Sequence, residues 1–273
     1  MAVDFIFLLS PNNSGTTIIG QYLQGQTGGY LPPFGNHEGQ MAPAVRGAMR
    51  SKPWDPDHKL DWAWIRDEWT KLAEEAGQSL FIECSPPNLL HVDAIREAFG
   101  DRARCLFSIT SPYAYISSCL YNYSFPPMAA HKMGKRAREW VFKAETQRRF
   151  IEQFPDIPRI RYEDFCADPT IVNQALDLDT VTATDLRGKA NEAITEIVEL
   201  SARQFAFLTF AEWDRVNGVL AQHEDLLDFF GYTLRPGREL LTQAAGDPAL
   251  MHAGILRRTR WDMRKSQKKA AAG

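Results

Sequence analysis

The sequence predicts an α/β fold: a central, mainly parallel sheet flanked by helices, followed by a mostly helical carboxyl-terminal part. Three observations carry that expectation. The chain opens on an apolar run of strand length, Phe5–Leu9, which passes through a short polar turn into the helix-like Ile18–Leu23. Further runs of strand length recur at Ser79–Glu83, Arg104–Ile109 and Ile157–Tyr162. Segments of helical character separate them, and such alternation is the pattern of parallel strands joined by right-handed crossovers.

The remaining elements follow in order. Residues 25–60 are rich in Gly and Pro and read as one long loop, a length that inside a compact domain points to function or motion. Asp61–Ala76 has helical periodicity, with Trp62, Ile65, Trp69 and Leu72 on a single stripe that reads as core-facing. A helix is expected over Asn88–Phe99, another after Ser111-Pro112 and a long one over 134–154. From Thr184 to Phe230 the pattern is mainly helical, and the helical part extends over 184–256. There is no internal repeat, and low complexity is confined to the final Ala-Ala-Ala-Gly.

Bulk properties bound the function. With 273 residues, 44% of them hydrophobic, the chain can bury a sizeable core, and residues 1–273 are read as one domain. A net charge of −3 and a pI near 6.1 argue against nucleic acid as the main partner. Asp4 precedes the first apolar run and no basic segment does, so that run reads as a core strand and not as a signal peptide. No apolar run approaches the roughly 18 residues of a membrane span, so a cytoplasmic protein is expected. The four cysteines, Cys84, Cys105, Cys119 and Cys166, are scattered and read as free thiols; no metal site is expected.

The turn Ser10-Pro11-Asn12-Asn13-Ser14-Gly15-Thr16-Thr17 is the chemically suggestive segment. A helix start offers N–H groups with no intrahelical acceptor, together with the positive end of the helix dipole. The hydroxyls of Ser14, Thr16 and Thr17 add donors suited to phosphate or sulfate oxygens. The plainer reading is that Ser and Thr only cap a helix. The turn holds one Gly and no Lys, so it is not the G-x-x-x-x-G-K-[ST] loop of kinases and ATPases.

What the turn resembles is the 5′-phosphosulfate loop of sulfotransferases, P-[KR]-S-G-T-T, through Pro11, Ser14, Gly15, Thr16 and Thr17. It carries one extra Asn, and Asn13 stands where the family has a basic residue. Three later segments resemble the same family in the same order. Ile82-Glu83-Cys84-Ser85-Pro86-Pro87-Asn88 is similar to an I-E-K-S-P-x-N run. Thr110-Ser111-Pro112 with Ser118 is similar to the 3′-phosphate motif, R-[DN]-P and a later Ser, with Thr110 at the Arg position. Arg161-Tyr162-Glu163-Asp164-Phe165 with Asp168-Pro169 is similar to R-Y-E-D-L…D-P.

The resemblance implies a P-loop-NTPase-like three-layer fold that takes 3′-phosphoadenosine 5′-phosphosulfate as co-substrate. It implies that Asn12, Asn13, Ser14, Gly15, Thr16 and Thr17 hold the phosphosulfate, with Thr110 and Ser118 at the 3′-phosphate. Arg257, Arg258 and Arg260, beside Trp261 in the basic tail 257–273, are expected to compensate for the missing cations. The loop Gly35-Asn36-His37-Glu38-Gly39-Gln40 resembles a G-E-G-Q run on the acceptor side. Glu38 is therefore the expected base, His37 its rival, and Asn13 a neutral donor to the leaving group. Glu83 reads as structural or orienting. The expected activity is sulfuryl transfer to a hydroxyl or amine of a small molecule, lipid or sugar, with residues 25–60 and 121–131 (Tyr121, Tyr123, Phe125, Pro126, Pro127, Met128) shaping the acceptor side. The alternative is a catalytically weakened relative that binds a nucleotide, another anion or a protein partner. Oligomeric state is not legible.

Overall fold

A computed structural model describes residues 2–122, 130–179, 186–187, 193–194, 197 and 204–245. These fall into two compact units, one drawn from Met1–Ile109 and Thr146–Val198, the other from Thr110–Glu145 and Glu199–Gly273.

The first unit is built on a parallel sheet of β1 (Asp4–Leu9), β2 (Leu80–Glu83), β3 (Ala103–Ile109) and β4 (Arg159–Arg161), in the order β2-β1-β3-β4. Phe5 lies opposite Phe81 and Ala103, and Phe107 opposite Arg159. All of Phe5–Leu9 is buried, as the unbroken apolar run requires of a strand covered on both faces. Alternate residues of β1 serve different layers. Ile6 and Leu8 pack with Ile19, Tyr22 and Leu23 of α1 (Thr16–Thr27), Phe165 of α7 (Tyr162–Ala167) and Val172 of α8 (Ile171–Leu176). Phe5 and Phe7 face the other way, with ring centroids 4.7 and 4.9 Å from Phe99 of α4 (Val92–Phe99). Trp69 of α3 (Trp62–Glu75) stacks on Phe81 at 5.3 Å in the same layer. The expected stripe is thus core: Trp62, Ile65 and Trp69 are buried and Leu72 is partly so.

Strand order reverses between β1 and β3, and open α/β sheets bind ligands at the carboxyl ends of strands at such a point. The ends are fastened by Gln147 of α6 (Ala130–Gln153), whose Nε2 donates to the Leu9 carbonyl at 2.9 Å and the Ser108 carbonyl at 3.0 Å. Ser10 and Ser108 are also joined through their hydroxyls.

Several elements differ from the sequence expectation, each for a local reason. The loop 25–60 is folded onto the sheet edge: Tyr30 N–H donates to Leu80 O at 2.7 Å, and Ile82 N–H to Tyr30 O at 2.9 Å. It also contains a 3-10 turn, Gly39–Met41, and the short α2, Arg46–Met49. The helix expected over Asn88–Phe99 breaks into a 3-10 turn, Pro86–Leu90, and α4, since the prolines open the first and the Asn88 side chain is drawn to Glu83. The strand expected over Ile157–Tyr162 shrinks to Arg159–Arg161 because Tyr162 already begins α7. Within the segment read as mainly helical from Thr184, β5 (Leu186–Arg187) and β6 (Ala193–Ile194) form an antiparallel pair.

The second unit contains α5 (Pro112–Asn122), the residues of α6 up to Glu145, a 3-10 turn at Phe205–Phe207, and helices α9 (Phe210–Leu220), α10 (Glu224–Phe229) and α11 (Gly237–Ala245). A capping box, Thr209 with Glu212, opens α9. The basic segment 257–273 and most of 121–131 lie outside the described residues. No described helix is long and apolar enough to cross a membrane.

Removing the Gln147 side chain takes a donor from two carbonyl groups at the ends of β1 and β3. Gln147→Ala is expected to cost about 1–3 kcal/mol in urea unfolding. An unchanged midpoint and slope would show that water or a neighbour takes its place.

Candidate active site at the carboxyl edge of the sheet

The first turn is shaped by its backbone. Asn13 and Gly15 both have positive φ, 59° and 76°. At Gly15 the conformation excludes a side chain on two counts. A left-handed φ strains any L-residue, and a Cβ there would overlap the ring of Tyr162. Asn is among the residues that tolerate the left-handed region, so the backbone accounts for Asn13 as well as its chemistry does.

The result is a run of N–H groups with few acceptors at the start of α1. Ile18 and Ile19 donate back to the Gly15 carbonyl at 3.0 and 3.1 Å. Among the described residues, the N–H groups of Ser14, Gly15, Thr16 and Thr17 have no such acceptor. No side chain caps α1 and no acidic residue occupies its first turn. Ser14 is fully buried, yet its Oγ lacks a hydrogen-bond partner. The plain capping role considered for the hydroxyls is therefore not what the turn does: Ser14 makes no cap bond, and Thr17 Oγ1 reaches Asn36 O only at 3.5 Å. A left-handed turn before successive unpaired N–H groups at a helix start is a geometry suited to receiving an anion.

A second cluster brings together segments that are distant in the sequence. Glu83 at the end of β2 is completely buried. Its Oε1 accepts from Ser85 N–H at 2.7 Å and Asn88 Nδ2 at 3.0 Å, while Oε2 accepts from Gly39 N–H at 2.8 Å. Gly39 is held from its other side by the Trp69 indole, which donates to the Gly39 carbonyl at 3.2 Å. Ser85 Oγ accepts from Gln40 N–H at 3.0 Å, and the Gln40 side-chain amide donates to Glu38. A Cβ at Gly39 would overlap Glu83 Oε2, so glycine is required for the carboxylate to reach the backbone. The I-E-x-S-P-x-N and G-x-x-E-G-Q runs are thereby one structure.

His37 is placed differently. Its Nδ1 lies 3.0 Å from the Pro32 carbonyl, which can only accept, so Nδ1 carries the proton. Nε2 then accepts from the Gln21 amide at 3.1 Å. Both ring nitrogens are therefore engaged by neighbours. Thr110 directly follows β3 and is buried, with its carbonyl accepting from Trp140 Nε1 at 3.0 Å; Ser118 is half-buried on α5. Both belong to the second unit. Arg257, Arg258 and Arg260 lie outside the described residues. Among the described residues, no group of His, Cys, Asp and Glu could hold a metal ion. Sequence reading left out Tyr162 as the buttress of Gly15 and Gln147 as the strand-end clasp, and no local pattern announces either.

No protein-family model matches the sequence, and no curated protein does. Solved structures do. The sulfotransferase domain from the curacin biosynthetic pathway aligns with a TM-score of 0.52 and 17% identity, covering 86% of this chain and 99% of that one. The sulfotransferase from Alicyclobacillus acidocaldarius aligns with a TM-score of 0.56 and 16% identity, covering 87% and 100%. At such identity the likeness is one of architecture: the chain has the α/β, P-loop-like fold of the sulfotransferases.

Burial pushes Glu83 up to about 7, helped by the nearby Glu38 charge and opposed by its hydrogen bonds. The folded protein keeps that proton where the unfolded chain has lost it, so this contribution to stability falls as pH rises from the ordinary 4.5 through about 7. His91 acts in the opposite sense. Burial, with the neighbouring His58, lowers it to about 4, so its contribution grows as pH rises from there to its ordinary 6.5. In Glu83→Gln only the His91 trend survives. Relative to the parent, the variant is expected to gain up to ~3 kcal/mol between about pH 5 and about pH 8 in urea titrations. Parallel pH profiles would show that Glu83 does not titrate in that range.

Proposed function

We propose that this chain is a sulfotransferase that takes 3′-phosphoadenosine 5′-phosphosulfate and moves its sulfuryl group to a hydroxyl or amine acceptor. The observation that carries the reading is the first turn, with left-handed Asn13 and Gly15, N–H groups of Ser14–Thr17 without protein acceptors, and a buried Ser14 hydroxyl without a partner. Such a cradle fits tetrahedral oxyanions, and the likeness of the fold to sulfotransferases supports reading the oxyanion as a phosphosulfate.

When bound, the nucleotide supplies an activated sulfuryl group whose transfer leaves charge on the oxygen bridging sulfur to phosphorus. Ser14, Gly15, Thr16 and Thr17 would orient the phosphosulfate oxygens and stabilise that charge with preorganised N–H and O–H donors. Asn12 and Asn13 flank the cradle, and Asn13 adds a neutral donor where relatives carry a cation. Glu38, partly buried and held by Gln40, would take the proton of the acceptor hydroxyl or amine. The sequence pattern alone assigns Thr110, Ser118, Arg257, Arg258 and Arg260 to the 3′-phosphate. The acceptor is a small molecule, a lipid or a sugar, and a cytoplasmic setting suits a nucleotide donor.

The neutral residues at 13 and 110 favour one rival, a relative that binds the nucleotide without turning it over. Calorimetric titration with 3′-phosphoadenosine 5′-phosphate tests the shared claim. Binding is expected for the parent, weakened roughly tenfold or more by Ser14→Ala or Thr16→Ala, since each removes a donor to a charged oxygen worth about 1.5–3 kcal/mol. No binding by the parent removes the nucleotide from the account. Binding without sulfuryl transfer to any of a panel of hydroxyl and amine acceptors favours the rival.

A further inference from the structure

The mechanism above gives His37 no part, yet both its backbone and its ring are unusual. Its φ is 66°, in the left-handed region that strains a residue with a Cβ, so its surroundings must hold it there. The ring supplies two holds. Nδ1 lies 3.0 Å from the Pro32 carbonyl, in the loop itself, and Nε2 lies 3.1 Å from the Gln21 amide nitrogen, on α1. Around the ring the chain closes a turn, 34–38: Gly35 is left-handed as well, and Glu38 N–H donates to the Phe34 carbonyl at 3.1 Å. The neighbouring residue meets the same helix, with Thr17 Oγ1 at 3.5 Å from the Asn36 carbonyl. Thr17 and Gln21 are four residues apart and so share one face of α1. The turn that ends at Glu38 is thus set against the helix whose first residues form the proposed anion site.

We propose that His37 is a positioning residue whose imidazole ties the turn 34–38 to α1 and so sets Glu38 against the first turn. The inference rests on the reading of Glu38 as the base. Donor and acceptor balance carries it. The Pro32 carbonyl only accepts, so Nδ1 bears the proton; Nε2 of the neutral ring then accepts, and the Gln21 amide nitrogen only donates. A neutral imidazole offers a donor and an acceptor on one rigid ring, and histidine is among the residues that tolerate left-handed φ. One residue type meets both demands. Glu38 follows His37 directly, so fixing the ring fixes the peptide that carries the carboxylate. After Glu38 come Gly39 and Gln40, whose N–H groups donate to Glu83 and Ser85. The base is thereby held from both sides, by α1 before it and by the end of β2 after it.

Group transfer needs the base, the attacking atom and the sulfur in one alignment, so the spacing between the first turn and Glu38 governs turnover. His37 acts on that spacing and, in this role, touches neither nucleotide nor acceptor. A base role for His37 makes a different demand. Nε2, the nitrogen without a proton, would have to leave Gln21 in order to receive one. The two roles therefore part at Gln21, which a positioning ring needs and a proton-accepting ring does not.

The test is amide hydrogen exchange on the full chain, in the parent, Gln21→Met, His37→Asn and the double variant. Gln21→Met keeps the length and helix propensity of the side chain and removes the donor. His37→Asn keeps the tolerance of left-handed φ and is too short to reach α1. In each single variant the Glu38 amide is expected to exchange roughly two- to tenfold faster, the worth of one hydrogen bond, with β1 amides unchanged. The double variant is expected to match His37→Asn, because both substitutions break one contact. Sulfuryl transfer gives the readout that a merely structural contact would not move. There kcat falls roughly tenfold or more in both single variants, while the affinity for 3′-phosphoadenosine 5′-phosphate stays that of the parent. Parent-like protection of the Glu38 amide in Gln21→Met would overturn the proposal, as would a kcat lost in His37→Asn and kept in Gln21→Met. Gln21→Met decides the matter by itself if His37→Asn fails to fold. Exchange needs neither nucleotide nor acceptor, so failure of nucleotide binding in calorimetry speaks against the reading of the site and leaves the His37 contact to its own result.

Discussion

The contact between the Tyr162 ring and Gly15 is the constraint from which the site follows. Tyr162 starts a helix directly after β4, and its ring fills the space a Cβ at Gly15 would take. Position 15 must then be glycine, and glycine permits the left-handed turn that precedes α1. Helix α1 begins without a cap, and Ser14 is buried without a partner. Each is a local deficit in hydrogen bonding. Together they match what the proposed anion-binding role would require, since buried polar groups otherwise find partners. Missing caps and strained φ values concentrate at functional sites for this reason.

The same edge of the sheet also holds a strongly acceptor-rich cluster. Glu38, Glu83 and the Gln40 and Asn88 carbonyl oxygens lie along one loop-to-strand junction, and the last two lack donors. In the proposed sulfuryl transfer, the N–H groups of the first turn would face the leaving group and the carboxylates of this junction the proton of the acceptor. Both features belong to the first unit and to the ends of β1 and β2, so the sheet that fixes the strands fixes their spacing.

Much of the fold was legible because its signals are local. The run Phe5–Leu9 is apolar for its whole length and β3 is apolar over Cys105–Phe107 because both faces are covered, and the Trp62-Ile65-Trp69 stripe repeats at helical spacing because one face is. Ser14-Gly15-Thr16-Thr17 was legible as a strand-to-helix turn, since glycine suits the left-handed φ that position 15 adopts. Long-range pairings were not. Nothing near Gly39 says that it lies against Glu83, and nothing near Gln147 says that it clasps Leu9 and Ser108. Short β4, cut off by the helix at Tyr162, and the β5–β6 pair were misread for the opposite reason, as propensity over a few residues yields to tertiary context.

The central claim is that the first turn is a preformed cradle for the phosphosulfate end of a nucleotide. The most direct measurement follows the backbone amides of Ser14, Gly15, Thr16 and Thr17 while 3′-phosphoadenosine 5′-phosphate is added. The account predicts saturable shifts at those four positions, because their N–H groups acquire acceptors they lack in the free protein. Binding that moves other amides and leaves these four unchanged would contradict it.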